Sequence, residues 1–179
     1  MTKRRVASSL GFSMIEVLVT ILLISVALLG VAKMQAAAVA NTQIARVRSL
    51  IAIQAGSLAS SMHGNPGYWA AGLAPTTFSA SGATVTDGTG VLTAAADCVS
   101  GACTPAQLAA YDVQNWATNL NAQFPSYTAT VNCTAVVGTP VSCNINVFWA
   151  EKYIAINRST AASASAQTAT QSFTLYVEP

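Results

Sequence analysis

The segment Phe12–Ala32 constrains this chain more than any other feature, because its 21 residues carry a single charged side chain, that of Glu16. A helix of this length rises about 30 Å, which is the thickness of the hydrocarbon core of a bilayer. The segment therefore predicts one membrane-spanning helix. Only 8% of the whole chain is charged, which argues against a nucleic-acid-binding protein, a disordered chain or an ordinary cytosolic enzyme.

The orientation of this span follows from charge and from cysteine. Three basic residues lie within the first five positions and favour a cytoplasmic amino terminus. Lys33, Arg46 and Arg48 follow the span, so the number of basic residues alone does not decide. All four cysteines also follow the span, and an even number of cysteines suits an oxidising periplasm. We therefore expect the carboxy-terminal part of the chain to be periplasmic.

Two simpler interpretations of the apolar segment stay open. A secretory signal removed after the span is one, but its apolar region is usually about 7–15 residues long. The longer run here, with a carboxylate near its start, argues against removal. A plain membrane anchor without processing is the other.

Glu16 needs a cation, because a carboxylate in the bilayer core costs a few kcal/mol. No Lys or Arg lies within helical reach, and the nearest one downstream is Lys33. Cleavage between Gly11 and Phe12 would create a positive amine four residues before Glu16, the spacing at which helix residues face each other or a neighbour. The expected partner is thus a chain terminus or another molecule.

The run Gly11–Val17, GFSMIEV, stands behind a short basic leader and ahead of an apolar helix. It closely resembles the class III signal of type IV pilins and type II secretion pseudopilins. The resemblance implies that a prepilin peptidase cuts after Gly11 and methylates Phe12. It also implies that Glu16 neutralises the amino terminus of a neighbouring subunit in the filament core.

The same resemblance implies a division of the chain into a leader, a helix and a head. Residues 1–11 are the leader that the peptidase removes. Residues 12–63 form the long pilin helix, of which 12–32 span the membrane. Residues 64–179 form a periplasmic α+β head.

Two further segments, Met62–Trp69 and Asp97–Asp112 followed by Trp116, are similar to PilV-type minor pilins, the type IV pilus modification proteins. This similarity implies a low-abundance, non-catalytic subunit that supports pilus assembly, twitching motility and attachment. The partners it implies are other minor pilins, the major pilin, prepilin peptidase, the inner-membrane assembly machinery and, before assembly, the lipid bilayer. We expect no cofactor and no nucleic acid. The protein would lie first in the inner membrane and then in the pilus.

The helix is predicted to continue beyond the membrane. No Pro occurs between Lys33 and Met62, and one apolar stripe recurs every three or four residues: Ile44, Val47, Ile51, Ala55, Leu58 and Met62. Gly64 and the sequence Asn65-Pro66-Gly67 supply the stop signal. A coiled coil fits this alanine-rich segment poorly. We expect the carboxy-terminal half of the helix to pack on a small antiparallel sheet.

The remainder predicts one short helix and several strands. Residues 71–101 predict a long loop with at most one short strand. Thr104, Pro105 and Gln107 form a helix start, and Phe124-Pro125 ends that helix. Its expected apolar face consists of Leu108, Tyr111, Trp116 and Leu120.

Alternation with a period of two predicts strands at Tyr127–Cys133, Cys143–Trp149 and Ser172–Val177. Residues Tyr153–Asn157 would extend the middle strand or form another one. The Ser/Ala/Thr run 159–170 predicts a loop. The fold class is therefore α+β, with a long amino-terminal helix on a small antiparallel sheet and one extra short helix.

The cysteines predict two local disulfides. Cys133 and Cys143 stand symmetrically about Gly138-Thr139-Pro140, and Cys98 and Cys103 enclose four residues. We favour the pairs 98–103 and 133–143 among the three possible connectivities. Neither spacing is typical of zinc, and the Cys-x-x-Cys motif of redox catalysis is absent.

The sequence predicts no active site. It lacks a nucleophile elbow, a zinc-protease motif, a P-loop and a dinucleotide fingerprint, and nothing pairs its few acids as acid and base. His63 is interpreted as a helix-end residue. Trp69, Trp116 and Trp149 are interpreted as core residues, with a binding platform as the alternative.

Two other functions stay open. A type II secretion minor pseudopilin shares the amino-terminal motif. A pilus-displayed adhesin would use Trp69 or the segment 71–96 as its contact site.

Overall fold

A computed structural model describes residues 11–134, 139–152 and 168–179. Its elements in chain order are α1 (Met14–Gly64), β1 (Thr77–Ser81), β2 (Thr84–Asp87), α2 (Pro105–Gln123), β3 (Thr128–Thr134), β4 (Ser142–Lys152) and β5 (Thr168–Val177). The chain divides into two compact units, one ending at Thr42 and one comprising Gln43–Pro179. The architecture is α+β, as the sequence predicts.

The first unit is helical from Met14 onward, two residues later than the predicted start at Phe12. Every side chain between positions 11 and 39 is exposed. Helix α1 is long and apolar enough to cross a membrane, and its most apolar window is not buried by the rest of the protein. A helix that is apolar on all sides is typical of a fully buried or a membrane-spanning element.

The second unit begins with the carboxy-terminal part of α1, which is amphipathic as predicted. Ile51, Ala55, Leu58 and Met62 are buried in the core, and Ile44 and Val47 nearer the start of the stripe are half-buried. The helix ends at Gly64, and the next residue, Asn65, donates its side-chain amide to the carbonyl of Pro105 at 2.7 Å. This hydrogen bond ties the end of α1 to the start of α2.

The five strands form one antiparallel sheet in the order β2-β1-β3-β4-β5. Alternate residues of each strand point inward, and one cross-strand row contains Phe78, Val131, Ile145 and Leu175. Both helices contribute to the core that covers this inner face. The indole nitrogen of Trp116 in α2 donates to the carbonyl of Gln54 in α1 at 2.9 Å. The outer face carries neither helix.

The prediction of at most one short strand in residues 71–101 is wrong, because β1 and β2 form a hairpin there. Small residues conceal the alternation, but Phe78, Ala80 and Val85 are all buried. Gly82 begins the two-residue turn at a φ of +59°, which hairpin turns of this kind require of their first residue. The hairpin therefore belongs to the core and is not a surface loop.

Other boundaries need smaller corrections. Strand β4 continues to Lys152, and β5 begins at Thr168, so residues 168–170 are strand where a loop is predicted. The rest of that run, and the strand predicted at Tyr153–Asn157, lie outside the described residues. Helix α2 ends as predicted at Phe124, whose backbone N–H donates to Leu120.

The buried face of α2 is rotated from the predicted one. Its buried residues are Ala109, Ala110, Val113, Trp116, Ala117 and Leu120. Leu108 and Tyr111 are only half-buried at the margin of this face. The prediction is confirmed for Trp116 and Leu120 and wrong for Leu108 and Tyr111, because three alanines and Val113 occupy the rest of the buried face.

Candidate functional site

The candidate cleavage residues lie immediately before α1. Gly11, Phe12 and Ser13 precede the first helical residue, Met14. A Cβ added at Gly11 would meet no atom within 4 Å, and the Phe12 side chain is 81% exposed. The peptide bond between Gly11 and Phe12 is therefore sterically open on the part of the chain that is described.

Glu16 lies in the first turn of α1 and is exposed. Its backbone N–H donates to the carbonyl of Ser13 at 3.0 Å. An acidic side chain in this position interacts favourably with the positive end of the helix dipole. The side chain makes no hydrogen bond or ion pair with any other residue of the described ranges.

The spacing of Ser13 and Glu16 also matches a capping box, in which a serine side chain bonds the backbone N–H three residues later. In this structure the carbonyl of Ser13, and not its hydroxyl, accepts from Glu16 and Val17. Helix capping therefore does not account for a carboxylate at this position.

The cysteines form the two disulfides that the sequence favours, Cys98–Cys103 and Cys133–Cys143. Cys133 and Cys143 are partners in the β3–β4 register, with their Cα atoms 4.0 Å apart. Cys98 and Cys103 close a short loop just before α2, with Cα atoms 5.5 Å apart. The Cys133–Cys143 bond links β3 to β4, and the Cys98–Cys103 bond closes the loop that precedes α2.

Acidic and histidine side chains do not converge on one site. Across residues 11–134, 139–152 and 168–179, no group of three or more His, Cys, Asp or Glu side chains is placed to hold a metal ion. Asp97 lies in a loop, where hydrogen bonds from Ser100 and Val99 lower the pKa of its carboxyl. Asp112 lies in α2, where burial raises the pKa of its carboxyl. His63 is exposed near the end of α1.

The three tryptophans are core residues. Trp69, Trp116 and Trp149 are 1%, 5% and 6% exposed, and Trp69 packs against Phe78 with ring centroids 6.0 Å apart. The core interpretation is confirmed, and the binding platform is wrong. Trp69 is thus excluded as the contact site of an adhesin.

The sequence did not predict an ion pair between Arg48 and the buried carboxylate of Glu151. Glu151 on β4 is 4% exposed and accepts hydrogen bonds from Arg48 Nε at 2.9 Å and Nη2 at 2.8 Å. The indole nitrogen of Trp149 donates to the same carboxylate at 3.0 Å. The alternation of β4 could have predicted that Glu151 is buried, because it points to the same side of the sheet as Ile145, Val147 and Trp149.

Comparison of the chain with models of known protein families, with curated proteins and with solved structures gives no match. The functional assignment therefore depends on the residues and on their geometry.

Proposed function

We propose that this chain is a minor pilin, a non-catalytic structural subunit that takes part in the assembly or priming of a type IV pilus. The observation that carries the proposal is Glu16, a lone carboxylate in the first turn of a helix whose surrounding side chains are apolar and exposed. Its exposure and its lack of a partner among the described residues leave it available to a second subunit.

The proposed mechanism is a charge pairing between subunits. Prepilin peptidase removes the leader after Gly11 and methylates the amine of Phe12. In the bilayer Glu16 costs a few kcal/mol as an isolated charge. Pairing with the amino terminus of a neighbouring subunit offsets that cost, so Glu16 favours docking at the base of the filament.

The second unit supports this role because the carboxy-terminal part of α1 belongs to its packed core. Residues of α1 from Ile51 to Met62 are part of the same core as the sheet. Arg48 adds a bidentate ion pair to β4. Packing and an ion pair thus hold the carboxy-terminal part of α1 on the sheet, which suits a subunit that must withstand force.

The proposed partners are other minor pilins, the major pilin, prepilin peptidase and the inner-membrane assembly machinery. The proposed location is the inner membrane with the second unit in the periplasm, followed by the pilus. The two disulfides suit that compartment, because disulfides persist in oxidising environments. Twitching motility and surface attachment would follow from pilus assembly.

A type II secretion minor pseudopilin is the alternative with the same chemistry at Glu16. Loss of pili after removal of the protein supports the pilin, and loss of secreted enzymes with normal pili supports the pseudopilin. Deletion of residues 71–96 does not test an adhesin role, because this segment includes two strands of the sheet.

The test measures cleavage of the leader and assembly of the pilus separately. Mass analysis of the protein from its native cells should find a chain that begins at a methylated Phe12. In cells without redundant primers, Glu16→Ala should leave cleavage intact and reduce pilus number about tenfold or more, given the few kcal/mol at stake. Gly11→Val should block cleavage.

Glu178→Ala is the matched control, since it removes an acidic side chain that lies outside the span. It should leave pilus number unchanged. An intact, unmodified Met1 in the native protein, or normal piliation with Glu16→Ala, would contradict the proposal.

A further inference from the structure

The outer face of the sheet has an unusual composition. We call it the hydroxyl face and define it by the outward residues of the five strands: Thr77, Ser79, Ser81, Thr84, Thr86, Thr128, Thr130, Asn132, Thr134, Ser142, Asn144, Asn146, Phe148, Ala150, Lys152, Thr168, Thr170, Ser172, Thr174 and Tyr176. Thr, Ser and Asn occupy almost all of these positions. Both helices belong to the core on the other side of the sheet, so neither covers this face.

The hydroxyl face carries almost no charge. Lys152, at the end of β4, is the one charged side chain among the outward positions of these strands. The antiparallel register places the uncharged groups in rows across the strands, and one row is Thr86, Ser79, Thr130, Asn146 and Thr174. Neighbouring strands are about 4.8 Å apart, so this row presents polar groups at regular intervals over about 19 Å.

Some of these polar groups are paired with one another, and others have no hydrogen-bond partner among the described residues. Thr77 donates to Asn132 at 3.1 Å, and Thr174 donates to Asn146 at 2.7 Å. By contrast, the side chains of Ser79, Thr130 and Asn144 make no hydrogen bond to other side chains or backbone groups within the described ranges. Hydroxyl and amide groups both donate and accept, so such a surface matches a partner that presents hydroxyl groups.

Two exposed aromatic side chains flank this row. Phe148 on β4 is 37% exposed and Tyr176 on β5 is 56% exposed. In the register, Phe148 lies opposite Ser172 and Tyr176 lies opposite Asn144, one row to either side of Asn146. Strand geometry places their Cα atoms about 14 Å apart. The hydroxyl of Tyr176 donates to Glu178 at 2.8 Å, which restrains its ring.

We propose that the hydroxyl face binds a neutral polysaccharide. The rings of Phe148 and Tyr176 would stack on the C–H faces of two sugar residues, since the face of an aromatic ring is negative and attracts such hydrogens. The row between them would hydrogen-bond the hydroxyl groups of the intervening sugars. The proposal does not depend on the assignment to a pilus.

The chemistry of the face favours this ligand over other polymers. A polyanion such as nucleic acid requires several cations, and Lys152 alone provides one. A stable protein partner requires a buried core of large apolar or aromatic residues with few small polar ones. The rings of Phe148 and Tyr176, separated by hydroxyl and amide side chains, instead match a ligand whose apolar and polar groups alternate.

The test measures co-sedimentation of the full chain with three insoluble neutral polysaccharides: cellulose, chitin and starch. The protein is kept in a polyoxyethylene detergent, because a detergent with a sugar headgroup would compete. Binding to at least one of the three is expected. Phe148→Thr and Tyr176→Thr should each weaken that binding about fivefold or more, and Tyr176→Phe should retain it.

Val99→Thr is the matched control, because Val99 is 81% exposed and lies outside the sheet. It should bind as the unaltered chain does. Circular dichroism and the melting temperature should show that all five variants fold, including the Phe148→Thr/Tyr176→Thr double variant. Absence of binding to all three polysaccharides, or equal binding by the Phe148→Thr/Tyr176→Thr double variant, would overturn the proposal.

Discussion

The ion pair between Arg48 and Glu151 is asymmetric at the scale of single residues. The Glu151 side chain is 3% exposed, whereas that of Arg48 is 51% exposed. The guanidinium can therefore be solvated without its partner, but the carboxylate cannot. A buried charge that loses its partner costs more than a surface charge that does so.

We predict that Arg48→Met destabilises the protein more than Glu151→Gln does. Arg48→Met leaves a buried carboxylate without its guanidinium and should cost about 3 kcal/mol or more. Glu151→Gln keeps an oxygen for Trp149, and the half-exposed Arg48 stays accessible to solvent, so about 1–2 kcal/mol is expected. Urea unfolding of both variants measures the difference, and equal losses would contradict the asymmetry. The double variant should recover part of the loss of Arg48→Met.

Two buried tyrosines differ in how their hydroxyls are paired. The hydroxyl of Tyr127 lies 2.8 Å from the carbonyl of Gly82 and 3.3 Å from that of Ala117, and donates to them. The hydroxyl of Tyr68 is buried and has no hydrogen-bond partner among the described residues. Burial raises the pKa of Tyr68, with a smaller contribution from the Asp87 carboxylate. The Asp87 carboxylate itself accepts hydrogen bonds from Thr89, Gly90 and Leu92.

The same substitution should therefore have opposite effects at the two positions. Tyr68→Phe removes an unsatisfied hydroxyl and keeps the ring, so the free energy of unfolding should rise by about 1 kcal/mol. Tyr127→Phe removes a satisfied hydroxyl and should lower it by about 1 kcal/mol. Thermal unfolding of each variant beside the unaltered chain provides the measurement. A loss of stability in Tyr68→Phe would show that its hydroxyl has a partner.

Alkaline pH provides a second test of Tyr127. Burial raises the pKa of Tyr127 to about 12 from 10.0. Below pH 10 both folded and unfolded states keep the proton. Between pH 10 and 12 the unfolded state loses it first, so stability falls as pH rises through this window. Tyr127→Phe should accordingly lose less stability between pH 10 and 12 than the unaltered chain does.

At the scale of elements, the sequence predicted the helices and strands whose hydrophobic spacing or capping residues are clear within the element itself. The stripe from Ile51 to Met62 placed the buried side of α1, because large apolar residues recur at helical spacing. Thr104 and Gln107 placed the start of α2, and the structure contains the capping box that they predict. Strand β4 followed from the alternation of Ile145, Val147 and Trp149.

The elements that were missed are built from small residues. In β1 and β2 the inward positions include Ala80 and Val85 between serines and threonines, so the hydrophobic alternation is weak. Strand β1 pairs with β3, about 50 residues away, and β2 pairs with β1, and propensity alone does not reveal such pairing. The dipeptide Ser81-Gly82 was the available signal for the turn.

The functional residues, like the elements, were predicted only in part. Glu16 was found because one charge in an apolar run is conspicuous. The partner of Glu151 was not found, because Arg48 lies 103 residues away and only the fold brings the two together. The hydroxyl face was missed for the same reason, since its rows form only when the strands acquire their register.

At the scale of the whole molecule, the core is confined to the second unit. The described buried residues begin at Ile51 and end at Val177. The boundary between the two units falls at Thr42 and Gln43, within α1. The two units therefore differ: the first belongs to a helix long and apolar enough to cross a membrane, and the second has a core of its own.

We therefore predict that residues 43–179 fold without the preceding residues. Produced in an oxidising compartment, this fragment should melt within about 4 °C of the full chain in detergent, since a change below 1 kcal/mol shifts the melting temperature of a domain of this size by about that much or less. A fragment beginning at Leu58 is the control, because it lacks Ile51 and Ala55 from the core and Arg48 beside Glu151. Losing two buried side chains and one ion pair should cost more stability than a small domain has to lose. An unfolded 43–179 fragment would show that the core depends on the first unit, and a folded fragment beginning at Leu58 would show that α1 contributes little to it.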